Sequence, residues 1–478
     1  MTATDSNATT SQASALVGAR LITAVLGWVG TIIVARSLGR DEFGEFVFVF
    51  ALLGMLSVVT DLGVGRVALR GLLPDVDDRA HFGAAYFGLR LVMGFAGHGL
   101  AMVYVLATDQ PGRVVLATLI GGFIVDLATP SHAIQTLFQA ESRLGYVGFL
   151  RVVGQTAQLA LTCAVVLSGG GLVLLVIPVV VHELIVLGGS LRLARRMMPV
   201  RFAVDLALWR ELLREAVPLS IAQAFTTVTA RVDTLLLSAL VGSSAVASYG
   251  IAYKFIDLAH FVALAVGSAV LAELVRSVDA SDQRRFAGAL DDAGSLLAFA
   301  AGGFVVTTLA VSEPLVRFLY GDEFADAADP LRILTAAEGI AFLAGIGTAA
   351  LVATGRYRAF VLAAAAGLVL NVGLNLVVIP DHGPVGAAAT TLASEALVLA
   401  LVLVACRDLT CVLPATGRAL LRVVPGLVAG LAVGFVVAAR LPWPLAGLFA
   451  LLTYLAVCGR VPGAIPRLRT PQRNETER

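Results

Sequence analysis

Long apolar runs, separated by short polar or basic connections, recur along the chain from Ala15 almost to the C-terminus. Each run is about 20 residues long, the length that an α-helix needs to cross a hydrocarbon core of about 30 Å. The runs are too long for membrane strands and lack their alternation. The pattern therefore predicts an all-α integral membrane protein with about fourteen transmembrane helices. They are expected over residues 14–36, 45–69, 83–107, 114–138, 145–168, 172–194, 214–240, 246–275, 287–311, 329–354, 358–380, 384–406, 419–440 and 443–460.

The composition supports a membrane protein. Of the 478 residues, 58% are hydrophobic and only 14% are charged, whereas soluble domains carry about 25% charged residues. The first apolar run, from Ala15 to Ala35, is too long for a signal-peptide core and follows no basic segment, so we expect a membrane helix. The four cysteines lack metal-ligand spacing, and we interpret them as small packing residues.

The basic residues are distributed unevenly between alternate connections. With the N-terminus inside, 23 of them lie in connections and a tail on the cytoplasmic side and 6 lie outside. The positive-inside rule then predicts that both termini are cytoplasmic, in a multi-pass protein of the plasma or inner membrane. The net charge of only +1 hides this asymmetry and gives no indication of a nucleic-acid partner.

Two segments suggest that the chain contains an internal repeat. VARSLGRDEFGEFVF (34–48) has a counterpart in SALVGSSAVASYGIAY (238–253), and an offset of 203 aligns Gly39 with Gly242. Like-oriented repeats place a substrate site at their interface, where it is served by alternating access. The predicted domains are a disordered cytoplasmic tail (1–13), a six-helix lobe (14–194), a basic linker (195–213), a second six-helix lobe (214–406), an extra helix pair (407–460) and a basic cytoplasmic tail (461–478).

An acidic segment, LYGDEFADAADPLRIL (319–334), interrupts two apolar runs. It holds Asp322, Glu323, Asp326 and Asp329. It connects the predicted helices nine and ten on the outer face, where carboxylates stay hydrated. We expect a short amphipathic helix at the membrane surface.

Four stretches, in this order, carry a resemblance to a known family. They are LGRDEFGEF (38–46) with SVVTDLGVGRVALR (57–70), VPLSIAQAFTTVTARVDTLLLSALVG (217–242), LYGDEF (319–324) and NVGLNLVVIPDHGPVGAAATTLASE (371–395). Together they resemble the polysaccharide flippases of the multidrug/oligosaccharidyl-lipid/polysaccharide exporter superfamily. The resemblance implies two lobes around a central cavity and the movement of lipid-linked sugars from the inner to the outer leaflet. The implied partners are a sugar on a polyprenyl or dolichyl phosphate or pyrophosphate carrier, membrane lipid and glycan assembly proteins.

Five basic residues fall inside the predicted spans and away from their ends, where an ionisable group costs about 2.5–3.5 kcal/mol on insertion scales. They are Arg20, Arg90, Arg151, Arg231 and Lys254. The first three lie at a similar depth, near the cytoplasmic mouth. They either extend to inner headgroups or form a cationic site for the phosphate of a lipid carrier, because guanidinium groups bind phosphate bidentately. Arg231 lies deeper and either lines the cavity or pairs with another helix.

Several acids inside the spans, together with His132 and His260, are further candidates. Lys254, Asp257 and His260 form one polar stripe along a helix, which is either a neutralised structural stripe or an ion-sensitive site. The acids Asp61, Asp126, Asp233, Glu338 and Glu395 are candidates for counter-charges to the arginines or for ion coupling. We interpret His132 as a packed polar residue.

The sequence has no nucleophile–base pair, phosphate loop or metal cluster, so we expect no catalytic site, metal or cofactor, and no enzyme. Three other functions stay open: an organic-cation antiporter of the same superfamily, a peptidoglycan-precursor flippase and, more remotely, a membrane glycan polymerase or transferase. An antiporter needs a buried carboxylate early in the chain, whereas the first helix has Arg20 and no acid.

Overall fold

The structure, a computed structural model, describes residues 3–73, 78–141, 143, 145–197 and 201–464. Regular structure in these residues is helical. The α-helices are α1 (Ala3–Leu38), α2 (Arg40–Asp61), α3 (Val64–Ala68), α4 (Arg79–Ala107), α5 (Gly112–Ala140), α6 (Gly145–Leu167), α7 (Leu172–Ala194), α8 (Leu206–Leu240), α9 (Ser243–Asp279), α10 (Gln283–Tyr320), α11 (Ala328–Ala353), α12 (Tyr357–Ala405), α13 (Val412–Ala438) and α14 (Trp443–Arg460). Short 3-10 helices cover Arg70–Leu72 and Asp322–Ala327.

The predicted all-α membrane fold is confirmed. Every predicted segment overlaps a helix, with α12 accommodating two of them across a break at Gly383, whose φ is 52° and ψ is −133°. Pro380 and Pro384 flank this break, and proline removes the backbone donors that would continue the helix. Among the described residues, 10 helices are long and apolar enough to cross a membrane. The chain is a multi-pass membrane protein.

The N-terminal end of the chain differs from the predicted tail. Helix α1 begins at Ala3, so residues 3–13 are helical where the sequence predicts a disordered tail. This segment contains neither glycine nor proline, so nothing in it interrupts a helix that propagates from the apolar run. Most of the predicted basic tail (461–478) lies outside the described residues.

The described residues divide into two compact units, with the boundary after Gly250. In the first unit α5 is central and packs against α4 and α7, while α1 packs on α6. One buried core of this unit gathers Leu89, Ile134, Phe138 and Trp209. The indole Nε1 of Trp209 donates to the carbonyl oxygen of Ala85 at 2.8 Å, which fixes the start of α8 against α4.

The unit boundary lies further along the chain than the predicted lobe boundary. Helix α8 begins at Leu206 and packs against α2, α3 and α4 of the first unit. It starts before the predicted residue 214 because Asp205 caps it: the Oδ1 of Asp205 accepts from the backbone N–H of Leu208 at 3.0 Å. Aspartate is a favoured N-cap residue because it satisfies one of the free amides of the first turn.

In the second unit α10 is central and packs against α11, α13 and α14. Tyr454 of α14 donates its hydroxyl to the carbonyl oxygen of Phe299 at 2.7 Å. Glycines at positions 302 and 426 make room for this tyrosine, since a Cβ at either position would collide with it or with Cys458. Cys406 and Cys458 are buried, in agreement with a packing role.

The acidic segment forms a 3-10 helix over Asp322–Ala327 that continues directly into α11. Its apolar residue Phe324 is buried while the side chain of Asp322 is 87% exposed. Arg317 pairs with Asp322 at 2.7 Å, and Arg332 pairs with Asp329 at 2.7 Å. The acids therefore neutralise the two arginines of this connection.

Candidate functional site

Arg90 closes the end of α2. Its Nη1 donates to the carbonyl oxygen of Thr60 at 2.9 Å and pairs with the carboxylate of Asp61 at 2.9 Å. A cation at a helix C-terminus satisfies free carbonyls and opposes the helix dipole. The side chain is 1% exposed, so in this conformation Arg90 serves α2 and is not accessible to a ligand. Its predicted role in substrate binding stays a prediction.

Arg151 of α6 lies in a different environment, among polar groups from four helices. Its Nη2 donates to the Oε1 of Gln135 on α5 at 3.2 Å. Its charge interacts with those of Arg20 on α1 and Glu183 on α7. His132 of α5 lies within range of the charges of Arg90 and Arg151. We call Arg20, His132, Gln135, Arg151 and Glu183 the α6 cluster.

The structure thus brings Arg20 and Arg151 together, while the guanidinium group of Arg90 pairs with the end of α2 and lies within range of His132. The two members that sequence reasoning missed are Gln135 and Glu183. Glu183 follows His182 in the middle of the apolar run of α7, with its Oε1 3.7 Å from the Nε2 of His182. An adjacent histidine and glutamate in such a run were a signal that could have identified this position.

A second buried pair in the first unit joins α4 and α5. The Nδ1 of His98 lies 2.7 Å from the Oδ2 of Asp126, and both residues are largely buried. Gly122 leaves the space that the imidazole ring occupies, because a Cβ there would overlap it. Asp126 therefore has a histidine as its partner. The sequence analysis offers arginines as partners of the membrane acids, and it does not find His98 as the partner of Asp126.

Arg231 and Asp233 on α8 occupy different environments. Arg231 is partly buried and lies beside α2, where a Cβ at Gly54 would come 3.8 Å from its Nε. Asp233 is 0% exposed and accepts a hydrogen bond of 2.6 Å from the hydroxyl of Tyr249. Their spacing of two residues places them on different sides of the helix.

The second unit holds a group of opposite composition. The Nδ1 of His260 lies 3.1 Å from the Oε1 of Glu338 on α11, and the Nζ of Lys254 lies 3.8 Å from the Oδ2 of Asp257. The charges of Asp257 and of Glu395 on α12 also act on His260. We call Lys254, Asp257, His260, Glu338 and Glu395 the α9 cluster. In it, one lysine and one histidine face three carboxylates.

The two halves of α12 are joined by buried amides and a hydroxyl. Asn375 donates to the Oδ1 of Asn371 at 3.0 Å, and Thr390 from beyond the break donates to Asn375. Within the residues that the structure describes, no group of three or more metal-ligating side chains could hold a metal ion.

At the start of α8, His81 of α4 pairs with the N-cap carboxylate, its Nε2 lying 3.1 Å from the Oδ2 of Asp205. The backbone N–H of Leu208, and then His81, lower the pKa of Asp205 below its usual value. This carboxylate lies before the helix and outside the apolar spans.

Comparison with known families identifies the chain. The family described as "Polysaccharide biosynthesis protein" matches residues 10–272, more than half of the sequence. The chain belongs to the polysaccharide biosynthesis protein family. A second family, described as MatE, matches residues 218–377. No curated protein matches the chain.

Solved structures show that this polysaccharide biosynthesis protein has the fold of the multidrug/oligosaccharidyl-lipid/polysaccharide superfamily. It is similar to the lipid II flippase MurJ in an inward closed conformation, with a TM-score of 0.74, 13% identity, and 92% of this chain and 97% of that chain covered. A multidrug resistance MATE transporter in an inward-facing conformation gives a TM-score of 0.64 at 13% identity, covering 83% of this chain and 94% of that chain.

A third solved structure is a superfamily transporter from Pyrococcus furiosus, described by a reversed polarity of its binding pocket. It gives a TM-score of 0.55 at 13% identity, with 86% of this chain and 95% of that chain covered. At such low identities these likenesses establish the fold alone.

Proposed function

We propose that this polysaccharide biosynthesis protein moves a lipid-linked oligosaccharide from the inner to the outer leaflet by alternating access, without catalysing a reaction. The observation that carries the proposal is the α6 cluster, in which Arg20 and Arg151 bring two positive charges together within membrane helices. The family match supports a substrate that belongs to glycan assembly.

The electrostatics of the α6 cluster favour an anionic ligand. Each membrane-embedded guanidinium costs about 2.5–3.5 kcal/mol on insertion scales, and two like charges repel each other. Glu183 compensates one of the two. A phosphate or pyrophosphate on a polyprenyl or dolichyl carrier would compensate the other, through the bidentate hydrogen bonds that guanidinium groups form with phosphate.

The distribution of basic residues supports a proposed orientation of the protein in the cell membrane. In this proposal the protein lies in the plasma or inner membrane, with both termini in the cytoplasm. The excess of arginines on alternate connections supports this orientation. The carrier's headgroup then reaches the α6 cluster from the cytoplasmic leaflet, where α1, α4 and α6 begin. Glycan assembly proteins supply the substrate and consume it.

A second candidate is an organic-cation antiporter. The MatE match over residues 218–377 favours it, and so does the α9 cluster, where three carboxylates could hold a cation. A lipid II-type substrate is a variant of the leading proposal, because its headgroup also carries a pyrophosphate.

The deciding experiment deletes the gene and profiles lipid-linked sugars by mass spectrometry, together with surface glycans. We expect the precursor to accumulate and the surface glycan to disappear, and the accumulated precursor names the sugar. Complementation with Arg151→Gln should leave the precursor accumulated. The same substitution at Arg407, which is 78% exposed, serves as the matched control and should restore the glycan. Unchanged lipid-linked sugars with new sensitivity to cationic dyes would instead establish the antiporter.

A further inference from the structure

A small polar cavity lies in the first unit between the end of α2 and α8. It has a volume of about 90 Å³. Its polar lining comes from Ser57, Asp61 and Arg66 on one side and from Ser220, Gln223 and Thr227 on the other. It is separate from the α6 cluster, none of whose members lines it. A liquid water occupies about 30 Å³, so the cavity has room for about three waters or for part of a larger polar molecule.

One buried polar group of the lining, the hydroxyl of Ser220, has no hydrogen-bond partner among the described residues. Ser220 is 5% exposed, and its Oγ is both buried and unpaired within that part of the chain. Buried hydroxyls are normally satisfied, and one without a partner destabilises the folded protein. Gly63 has a φ of 65°, and a Cβ there would overlap the Oγ of Ser220, so glycine at this position leaves the hydroxyl in place. The Ser220 hydroxyl can therefore bind a ligand that supplies a hydrogen bond.

The chemistry of the lining selects the kind of ligand. Arg66 and the Gln223 amide donate hydrogen bonds, the Ser220 and Thr227 hydroxyls both donate and accept, and the Asp61 carboxylate accepts. An ionised phosphate only accepts, so it would leave the side-chain carbonyl oxygen of Gln223 and the second carboxylate oxygen of Asp61 without a donor. A sugar edge with neighbouring hydroxyls both donates and accepts, so it satisfies the whole set. At 90 Å³ the cavity takes such an edge and not a complete ring.

We propose that this cavity is a sugar-binding subsite that receives hydroxyl groups of the glycan headgroup. The inference rests on the proposed function for the identity of the ligand, and it assigns the two recognition tasks to different places. The α6 cluster binds the phosphate of the carrier, and the α2–α8 cavity recognises the sugar.

The test compares the affinity for a carrier with and without its sugar. The full-length protein in nanodiscs is titrated with undecaprenyl pyrophosphate and with the lipid-linked sugar fraction extracted from the deletion strain, and binding is followed by native mass spectrometry. The ratio of the two Kd values measures the contribution of the sugar. Thr227→Val and Gln223→Leu remove lining groups, while Thr226→Val makes the same change at the adjacent residue, which does not line the cavity.

We expect Thr227→Val and Gln223→Leu each to reduce the sugar contribution about five- to tenfold and to leave the Kd for undecaprenyl pyrophosphate unchanged, because each leaves a sugar hydroxyl unpaired. Thr226→Val should change neither Kd. If the ratio of the two Kd values is unchanged in both lining variants, the cavity holds only water. If the variants weaken the binding of both probes equally, the lining residues have a structural role. Either result overturns the proposed subsite. Arg151→Gln tests the proposed function separately, because it should weaken both probes alike.

Discussion

The two compact units of this protein contain charged clusters of opposite sign. The α6 cluster in the first unit has two arginines and one glutamate, whereas the α9 cluster in the second has one lysine and three carboxylates. Both lie on long helices of an all-α membrane fold that also serves transporters of quite different ligands. The comparison teaches that one membrane fold can carry side-chain clusters of opposite charge in its two units.

Reversing the charge at Arg151 should have the largest effect, because it removes the difference in charge between the α6 cluster and the α9 cluster. If Arg151 binds the carrier phosphate as proposed, Arg151→Glu removes charge-assisted hydrogen bonds worth about 1.5–3 kcal/mol and adds repulsion. We expect transport of the lipid-linked sugar fraction into proteoliposomes to fall by about 10- to 100-fold or more. Arg151→Lys keeps the charge and should retain part of the activity. Normal transport by a well-folded Arg151→Glu protein would show that the α6 cluster takes no part in transport.

Removing the counter-charge of Arg151 should act in the opposite direction. Glu183→Gln keeps the size of the side chain and leaves both arginines uncompensated, so the Kd for undecaprenyl pyrophosphate should fall about three- to tenfold. The thermal stability of the empty protein should fall as well, because the two arginines then repel each other without compensation. The exposed Glu215→Gln is the control. Weaker binding in Glu183→Gln would show that Glu183 contributes to the ligand site directly.

The α9 cluster should matter less for an anionic ligand. Glu338→Gln weakens one hydrogen bond to His260, which contributes about 1 kcal/mol to the free energy of unfolding. We expect a small decrease in Tm and less than a twofold change in the Kd for undecaprenyl pyrophosphate. If the Kd instead rises as much as in Arg151→Gln, the two clusters share one ligand and the contrast between them fails.

The smallest expected effect concerns the cap of α8. The pKa of Asp205 is lowered in the folded protein, so its stabilising contribution is present above the unfolded pKa of about 3.9 and is lost as the pH falls through the folded value. Asp205→Ala should therefore lower the Tm at pH 7, and the difference from the unaltered protein should shrink below about pH 4. Asp282→Ala removes the corresponding cap of α10 and shows how much a cap contributes in the second unit. A difference for Asp205→Ala that does not vary with pH would exclude the charge of Asp205 as its cause.

The positions of the helices could be predicted because each apolar run is bounded by polar connections. The break of α12 was visible in Pro380, Gly383 and Pro384. The early start of α8 was not found because residues 206–213 are amphipathic rather than apolar, and an apolar-run criterion passes over them. Its signal was the N-cap Asp205, followed by the core residue Trp209.

The candidate site could be predicted only in part. Arg20 and Arg151 could be selected from the sequence, because an arginine within a membrane helix is costly and therefore rare. Partners did not follow, since they depend on how helices rotate and pack. Arg90 contacts a helix end that lies 29 residues earlier in the chain, and no local pattern indicates that contact.

The three hydrogen bonds of Arg90 have a mechanical consequence. They join the end of α2 to α4 through the carbonyl oxygens of Thr60 and Asp61 and the carboxylate of Asp61. Pulling the helices apart would leave a buried guanidinium without its partner, at a cost of about 3–5 kcal/mol. A transport step that separated α2 from α4 at this contact would be slowed more than 100-fold. The contact therefore favours movements in which α2 and α4 stay together over movements that separate them.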